Sequence, residues 1–373
     1  MRDPWEDAEL ARRFREAGDT SATRAPLYAA LATGVAADPA LFRLLFHAPE
    51  HQRLPVLLFA CVHALLLDDP DHRLAEWYPN LTEAPRAPDD PALLDAFRDL
   101  VDERAPSLLH LLATRSTQTN EVGRCLLLTP ALGRLGDECG SLSHLDVGTS
   151  GGLTLLGHRY RHRYEPESGA PATELGPPSP VELVASTRGE GRLPARFPEI
   201  VERRGIDPEP IDVTDDEQAR WLEACVWPDQ ADRFRRLRAA IAIAREEPPS
   251  ITRGSGVDLV ADLVGTAADG AHPVVTNTWV LNYLSPDERT AYVDRLDAAG
   301  TQRDLSWVFA EAPALTPELP WRFAADASPD RQLTAVCLVT WRDGVRRVEH
   351  LATSHPHGYW IHFHPTGGTP DAT

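Results

Sequence analysis

The sequence predicts an α/β protein in which an all-helical N-terminal domain precedes a mostly parallel sheet domain. Apolar residues recur at three- and four-residue spacing through the first 140 residues, as amphipathic helices require. After residue 143, short β-rich runs alternate with helical patterns, which is typical of a parallel sheet. The last two runs meet at Asp343-Gly344, a dipeptide that favours a tight hairpin, so we expect the sheet to end in an antiparallel pair.

Composition limits the classes of function. The chain has 373 residues, a net charge of −19 and five cysteines without a C-x-x-C pair. The negative charge argues against a nucleic acid as the main partner, and the absence of lysine excludes Schiff-base chemistry. The chain starts without an apolar signal segment, and the apolar run at residues 54–67 is too short to cross a bilayer. We therefore expect a cytoplasmic protein with a small-molecule substrate, acting on neither nucleic acid nor membrane. The oligomeric state stays open.

Local signals place the elements in order. Residues 54–67 predict a buried helix, and polar residues before apolar runs indicate helix starts. Four such capping signals stand at Asp38-Pro39, at Asp90-Pro91, at Thr214 with Glu217, and at Ser285 with Glu288. The predicted strands are HLDVG, PVELVAS, HPVVTNTWV, LSWVFAEA, LTAVCLVTW and VRRVEHLAT, with a further short strand near SITRGSGVDLV. Residues 167–180, rich in proline and glycine, predict an exposed loop.

These patterns predict three parts of the chain. Residues 1–140 form the helical domain or lid, and residues 141–364 form the sheet domain with an insertion around 166–248. Residues 365–373 are expected to be a disordered tail, because they are short, polar and rich in glycine and proline.

The stretch HLDVGTSGGLTLLGHRY at residues 144–160 carries the strongest functional signal, and two interpretations compete for it. A strand, a glycine-rich turn and a helix start describe a nucleotide-binding turn, in which backbone N–H groups point into a cleft. The pentapeptide at residues 148–152 also fits G-x-S-x-G, the nucleophile elbow of α/β-hydrolases. The elbow should follow several earlier strands, whereas this turn follows the first one, so the nucleotide interpretation is favoured.

The turn D-x-G-x-x-G-G resembles the glycine-rich turn of class I S-adenosylmethionine-dependent methyltransferases, with Ser150 at the middle glycine position. HPVVTNTWVLNYLSPDERTAYVDRL resembles the fourth strand and following helix of that class, and LSWVFAEAP resembles its fifth strand. The terminal hairpin resembles the antiparallel strand that marks the class. The resemblance implies a Rossmann-like fold, S-adenosylmethionine as cofactor, and methyl transfer to a small molecule.

Nearly the whole chain also resembles an uncharacterised bacterial family, the domain of unknown function 2332. The stretches that carry this resemblance are QTNEVGR, LDVGTSGGLTLLGHRY, RRGIDPEPIDVTD, ACVWPDQADRFRRLRAA, NTWVLNYLS and HPHGYW. This resemblance implies a shared fold and site and leaves the substrate open.

The methyltransferase resemblance assigns roles to particular residues. Asp146, Gly148, Ser150 and Gly152 would hold the cofactor, and Asp207 would bind its ribose, with Glu165 and Asp212 as competing acids. A helical lid would add four polar residues from QTNEVGR, namely Gln118, Asn120, Glu121 and Arg124. The alternative for these four is a helix cap with an ion pair.

Candidate catalytic residues are His357, Asn277, Tyr283 and Glu311. His357 is a candidate general base, because histidine titrates near neutral pH. Trp279 and Tyr283 are four residues apart and could share one helix face, where core packing is the alternative role. Asn277 and Glu311 stand at the ends of predicted strands, where ligands of open sheets bind.

Two H-x-H pairs, His355 with His357 and His362 with His364, could bind a metal if each lay on one strand, but no third ligand stands out. We therefore predict no metal. Two other functions stay open beside methyl transfer. One is a non-catalytic protein that binds a nucleotide-like ligand or a partner, and the other is a serine hydrolase.

Overall fold

The computed structural model describes residues 4–189, 191–315 and 333–365. The chain divides into two compact units. The first comprises residues 1–119 and 214–238, and the second comprises residues 120–213 and 239–373. The predicted tail, apart from Pro365, lies outside the described residues.

The regular elements of the first unit are all helices among its described residues. Its helices are α1 (Pro4–Ser21), α2 (Pro26–Ala36), α3 (Pro39–Phe42), α4 (Pro55–Asp68), α5 (Leu93–Glu103), α6 (Ala105–Thr114) and α8 (Asp216–Ala224), with 3-10 turns at Arg43–His47, Glu50–Gln52 and Arg73–Trp77. Helix α9 (Ala231–Glu246) begins in this unit and ends in the other. As predicted for residues 54–67, α4 is almost entirely buried, including His63.

No single helix among the described residues has the length and apolar composition to cross a membrane. The bent pair Pro26–Ala36 and Pro39–His47, with a 102° break, meets the length and composition test only when its two helices are taken together.

The second unit is built on one sheet of eleven strands. These are β1 (Leu142–Val147), β2 (Arg161–Pro166), β3 (Thr173–Leu175), β4 (Glu182–Arg188), β5 (Ile200–Asp207), β6 (Ser250–Arg253), β7 (His272–Thr278), β8 (Leu305–Glu311), β9 (Thr334–Arg342), β10 (Val345–Ser354) and β11 (Trp360–Phe363). Their order is β3-β2-β4-β11-β10-β9-β8-β7-β1-β5-β6. Most neighbouring strands are parallel, so the predicted α/β class with a mostly parallel sheet is confirmed.

The strand order indicates where this sheet would bind a ligand, at a position beside β1. The chain lays β5 and then β6 on one side of β1, and later adds β7 and β8 on its other side, all parallel. In such doubly wound sheets, ligands bind at the carboxyl ends of the strands where the winding direction changes. That point lies between β1 and β7.

Helices cover both faces of the sheet. Helix α7 (Cys125–Cys139) packs Leu128 and Leu135 against Leu142, Val274 and Val308 on one face. On the other face, α10 (Gly256–Gly265) and α11 (Pro286–Gly300) enclose a larger core that includes buried aromatic residues of β8. Because α7 packs on the sheet, the structure divides the chain at residue 119 and not at the predicted residue 140.

Several local predictions are confirmed. Asp38 caps α3 by accepting from the Ala40 N–H at 2.9 Å. Ser285 and Glu288 form the complete capping box of α11. The hairpin of β9 and β10 turns at Asp343-Gly344, where both residues have positive φ as a type I′ turn requires. The expectation that the sheet ends in this antiparallel pair is wrong, because the pair lies inside the sheet between β8 and β11.

Other local predictions are wrong for identifiable reasons. Asp215, not Thr214, caps α8, because its carboxylate accepts from two N–H groups of the first turn. Helix α5 begins at Leu93, after Asp90 has accepted from the Ala92 N–H in a preceding turn. The segment after the glycine-rich turn is a 3-10 helix, Leu153–Arg159, and not an α-helix.

The chain between residues 161 and 188, which overlaps the start of the predicted insertion, adds three strands to the sheet. Strands β2, β3 and β4 form its far edge, and β3 interrupts the predicted loop at residues 167–180. Four strands, β2, β3, β5 and β11, were not predicted from the sequence.

Candidate functional site

The glycine-rich turn follows β1 with three residues in the left-handed region. Gly148, Ser150 and Gly152 have φ values of 71°, 53° and 72°. A Cβ on Gly148 would overlap Val280 Cγ2, and a Cβ on Gly152 would lie 2.6 Å from Pro249 Cβ. Both glycines are therefore required by backbone conformation and by close packing.

The N–H groups of this turn mostly bind the protein itself. Gly148 N–H donates to the Ile206 carbonyl at 2.8 Å, and Ser150 N–H donates to Asp207 Oδ2 at 2.7 Å. The N–H of Gly151, a buried residue, has no acceptor among the described residues. It is the donor of this turn that an incoming carboxylate or carbonyl oxygen could engage.

Asp146 supports the turn from inside β1. Its carboxylate accepts from the hydroxyls of Thr154 at 2.6 Å and Thr276 at 2.5 Å. Burial raises its pKa, and the hydroxyl donors oppose that shift. Because two protein hydroxyls engage its carboxylate, Asp146 ties β1 to β7 and to the 3-10 helix.

Of the three candidate ribose acids, Asp207 contacts the turn. It ends β5, and its Oδ1 accepts from the Glu209 N–H at 2.8 Å while Oδ2 binds Ser150. Burial raises its pKa. Glu165 is exposed and pairs with Arg163 at 2.7 Å, and Asp212 is exposed.

Two adjacent residues connect the turn with His357. Asn120 Nδ2 donates to the Thr149 carbonyl at 3.0 Å, and Glu121 Oε2 lies 3.2 Å from His357 Nδ1. The Glu121 side chain is only 3% exposed and that of His357 is 18% exposed. A buried carboxylate thus faces a partly accessible imidazole at the carboxyl edge of the sheet.

Arg124 fixes the loop that carries His357. The buried guanidinium donates from Nη1 to the Thr278 carbonyl at 3.0 Å and from Nε to the Pro356 carbonyl at 3.1 Å. A Cβ on Gly123 would overlap the His357 carbonyl oxygen, so the two segments meet backbone to backbone. The stretches QTNEVGR and HPHGYW, far apart in sequence, therefore form one structure at the end of β7.

Gln118 belongs to the other unit. Its N–H lies 3.5 Å from Cys225 Sγ in the helical unit. Of the four predicted lid residues, Asn120, Glu121 and Arg124 belong to the sheet unit and Gln118 does not.

Asn277 and Glu311 form a buried polar network at the ends of β7 and β8. Glu311 Oε1 accepts from Asn277 Nδ2 at 2.6 Å and from the Val280 N–H at 2.7 Å, and Oε2 accepts from the Leu281 N–H at 3.2 Å. Asn277 Oδ1 accepts from Trp307 Nε1 at 2.5 Å. Burial raises the pKa of Glu311 to about 7. This network holds the chain as it leaves β7.

Trp279 and Tyr283 do not share a helix face. Trp279 has a φ of 57°, and its Nε1 donates to Thr334 Oγ1 at 2.7 Å. Tyr283 lies in a separate 3-10 turn and is 70% exposed, so core packing does not explain it. The helical spacing was misleading because the backbone turns sharply at Trp279.

The C-terminal histidines are spread over a loop and a strand. His355 and His357 lie in the loop before β11, where His355 Nδ1 accepts from the His357 N–H at 3.0 Å. His362 lies in β11, and His364 follows it. Among the described residues, no group of three or more histidine, cysteine or acidic side chains has a geometry that could hold a metal.

The arrangement at this edge can move a proton. A carboxylate 3.2 Å from Nδ1 favours the ring tautomer that is protonated there, which would leave Nε2 as the basic atom. The pairing of Glu121 with His357 could not be recognised from the sequence, although both residues had been singled out separately.

Comparison with known proteins identifies one relationship. The family model described as "Uncharacterized protein conserved in bacteria (DUF2332)" matches residues 11–363. Searches of curated proteins and of solved structures find no match.

Proposed function

The chain belongs to the DUF2332 family of uncharacterised bacterial proteins, and we propose that it transfers a methyl group from S-adenosylmethionine to a small molecule. The observation that carries this proposal is the Glu121–His357 pair, held at the carboxyl edge of a doubly wound sheet beside its first glycine-rich turn. Asn120 connects that pair to the turn.

The glycine-rich turn has groups that could bind the amino-acid end of S-adenosylmethionine. Gly151 provides a buried N–H without an acceptor among the described residues, suited to a carboxylate oxygen. Gly148 and Gly152 keep the backbone conformation, and Asp207 stands at the tip of the next strand, where it would meet the ribose. In this proposal Asp146 supports the turn from below. The bound cofactor would supply the electrophilic methyl group.

The remaining groups orient and deprotonate the acceptor. His357 Nε2 would take the proton that a hydroxyl or amine loses, and Glu121 would stabilise the resulting imidazolium. Arg124 positions the His357 loop through two carbonyls. Asn277 and Glu311 keep the segment after β7 in place, while the exposed ring of Tyr283 is available to contact the acceptor.

The activity is proposed for the cytoplasm, because all five cysteines are free thiols. The net charge of −19 supports a small-molecule substrate in place of a nucleic acid.

Isothermal titration with S-adenosylmethionine and with its demethylated product tests the proposal. We expect both to bind the wild-type protein, and we expect His357→Gln to bind them with unchanged affinity, because His357 acts on the acceptor. Once an acceptor is found, His357→Gln should lose about 10²–10⁴-fold in turnover. The matched control is His110→Gln at an exposed position of the helical unit, which should leave turnover unchanged. Failure of both ligands to bind the wild-type protein would refute the proposal.

A serine hydrolase is the second candidate, and the backbone of Ser150 favours it. Ser150 occupies the centre of G-T-S-G-G with a φ of 53°, and strained turns of this kind carry the nucleophile in α/β-hydrolases. The side chain of Ser150 is buried, whereas an elbow serine is accessible. Stoichiometric labelling by a fluorophosphonate probe, lost in Ser150→Ala, would establish the hydrolase and refute methyl transfer.

A non-catalytic ligand-binding protein is the third candidate. The internal hydrogen bonds of the turn favour it, because they leave few donors for a reacting ligand. Cofactor binding without methyl transfer to any acceptor, in a protein that the probe leaves unlabelled, would support this alternative.

A further inference from the structure

Among the buried polar side-chain atoms of the helical unit that have no hydrogen-bond partner among the described residues, four are oxygens. They are the hydroxyl oxygens of Tyr28 and Tyr78, Asn80 Oδ1 and Asp229 Oδ2. Tyr28 is 3% exposed and Tyr78 is 0% exposed. Buried polar groups are normally hydrogen-bonded, so four unpartnered oxygens in one unit call for an explanation. We call these four residues the polar cluster.

The members of the polar cluster lie close enough together to interact electrostatically. Burial raises the pKa of Tyr28, and the neighbouring Tyr78 and Asp229 raise it further. Burial also raises the pKa of Tyr78, with Asp229 again contributing. The ring of His63 lies 5.5 Å from that of Tyr78, and His63 Nε2 lies 2.9 Å from Asn80 Nδ2.

His63 determines which polar atom of the Asn80 amide has no hydrogen-bond partner. His63 Nδ1 lies 3.0 Å from the Ala224 carbonyl, so this nitrogen carries the proton and donates. Burial lowers the pKa of His63 to about 4, which keeps the ring neutral and makes Nε2 an acceptor. Asn80 must then donate from Nδ2, and its Oδ1 remains an acceptor.

One oxygen of the Asp229 carboxylate has a structural role. Its Oδ1 accepts from the Leu27 N–H at 2.9 Å, at the start of α2. The N-cap residue of α2 is Ala25, which has no side-chain acceptor of its own. Burial raises the pKa of Asp229, and the N–H groups of Leu27 and Tyr28 at the start of α2 oppose that shift. Oδ2 has no hydrogen-bond partner among the described residues.

A cavity of about 550 Å³ adjoins the polar cluster in the same unit. Asn80 and Phe234 line it, with the loop from Pro79 to Pro85 on one side and Ala231 and Arg235 on the other. The Phe234 ring lies 5.9 Å from that of His63. The cavity has the volume of a small-molecule site, and Asn80 belongs to both the cavity and the polar cluster.

We propose that the helical unit binds a small primary amine, whose ammonium group lies among the oxygens of the polar cluster and whose remaining atoms occupy the cavity. An ammonium group has three donors and one positive charge, which match oxygen acceptors beside one carboxylate. The surrounding aromatic rings add cation–π attraction. The same carboxylate excludes anions. The amine would enter past Asn80, which lines the cavity and contributes Oδ1 to the polar cluster.

Isothermal titration of the full chain with n-butylamine, and with n-butanol as the neutral molecule of similar size, tests this site. We expect the amine to bind and the alcohol not to bind. Tyr78→Phe should weaken amine binding at least tenfold, and Asp229→Asn, which keeps the Oδ1 contact to Leu27, should do the same. Equal binding of amine and alcohol, or binding of neither, would overturn the proposal.

The unfolding midpoint gives a second readout that does not depend on the ligand. Tyr78→Phe should leave the midpoint without amine unchanged or higher, because it removes a buried hydroxyl that has no partner. The control is Tyr164→Phe, whose hydroxyl donates to the Leu126 carbonyl at 3.0 Å, and which should lower the midpoint and keep amine affinity. An equal loss in both variants would show that the Tyr78 hydroxyl is already paired, and would overturn the proposal.

Discussion

Replacement of Gly148 by alanine tests how the glycine-rich turn is built. The residue has a φ of 71°, and an alanine there costs about 1–2 kcal/mol for the left-handed backbone. The new Cβ would also overlap Val280 Cγ2, and overpacking of this kind costs typically ~1–3 kcal/mol. Because both effects act together, we expect Gly148→Ala to lower the free energy of unfolding by about 2–5 kcal/mol.

Two further variants separate these contributions. Gly344 has a φ of 74° with no atom within 4 Å of its added Cβ, so Gly344→Ala should show the backbone cost alone. In a Val280→Ala background, the cost of Gly148→Ala should fall to that of Gly344→Ala, a coupling of about 1–3 kcal/mol. Urea unfolding of the four variants and the wild-type protein measures these energies. If Gly148→Ala costs no more than Gly344→Ala, the packing of Val280 on the turn is wrong.

Three more predictions concern stability. Burial raises the folded-state pKa of Glu311 from the ordinary 4.5 to about 7, so its contribution is fully present below pH 4.5 and is lost as the pH rises through 7. Urea unfolding across this range should show the wild-type protein losing stability relative to Glu311→Gln, and parallel curves would contradict the assignment. Asp207→Asn should lower the free energy of unfolding by about 1–3 kcal/mol, because its amide nitrogen would face one of the two N–H groups that the carboxylate now accepts from. Equal chemical-denaturation midpoints for the variant and the wild-type protein would refute these two hydrogen bonds. Asp215→Ala should lower the free energy of unfolding by about 1 kcal/mol, measured by thermal unfolding. An unchanged stability would show that Asp215 does not cap α8.

Strands that contain a continuous run of apolar residues could be predicted from the sequence. β8 is buried at every position, and its apolar run at residues 307–310 is recognised directly from the sequence. β2 was missed because arginines alternate with its buried residues, His162 and Tyr164. The alternation has a strand period, but the charges hide it from a reading based on apolar runs.

The candidate site was predictable in its parts but not in its contacts. Asn120, Glu121 and Arg124 stood out as polar residues near a helix start, and His357 stood out in its motif. Their contacts depend on where the C-terminal loop returns, which sequence spacing does not determine. The opposite error arose at Trp279, whose spacing to Tyr283 is helical while its backbone is left-handed.

The position of β11 has a consequence for how the chain acquires its fold. This strand stands between β10 and β4, and it alone joins the three strands β2, β3 and β4 to the other seven. A ribosome delivers residues 161–188 long before residues 360–363, so β4 and β10 each await the same late partner. Until then both present unpaired edges that can capture another chain, and the long sequence separation makes closure slow. Nascent molecules of this protein should therefore depend on holding chaperones until residues 360–363 have been synthesised.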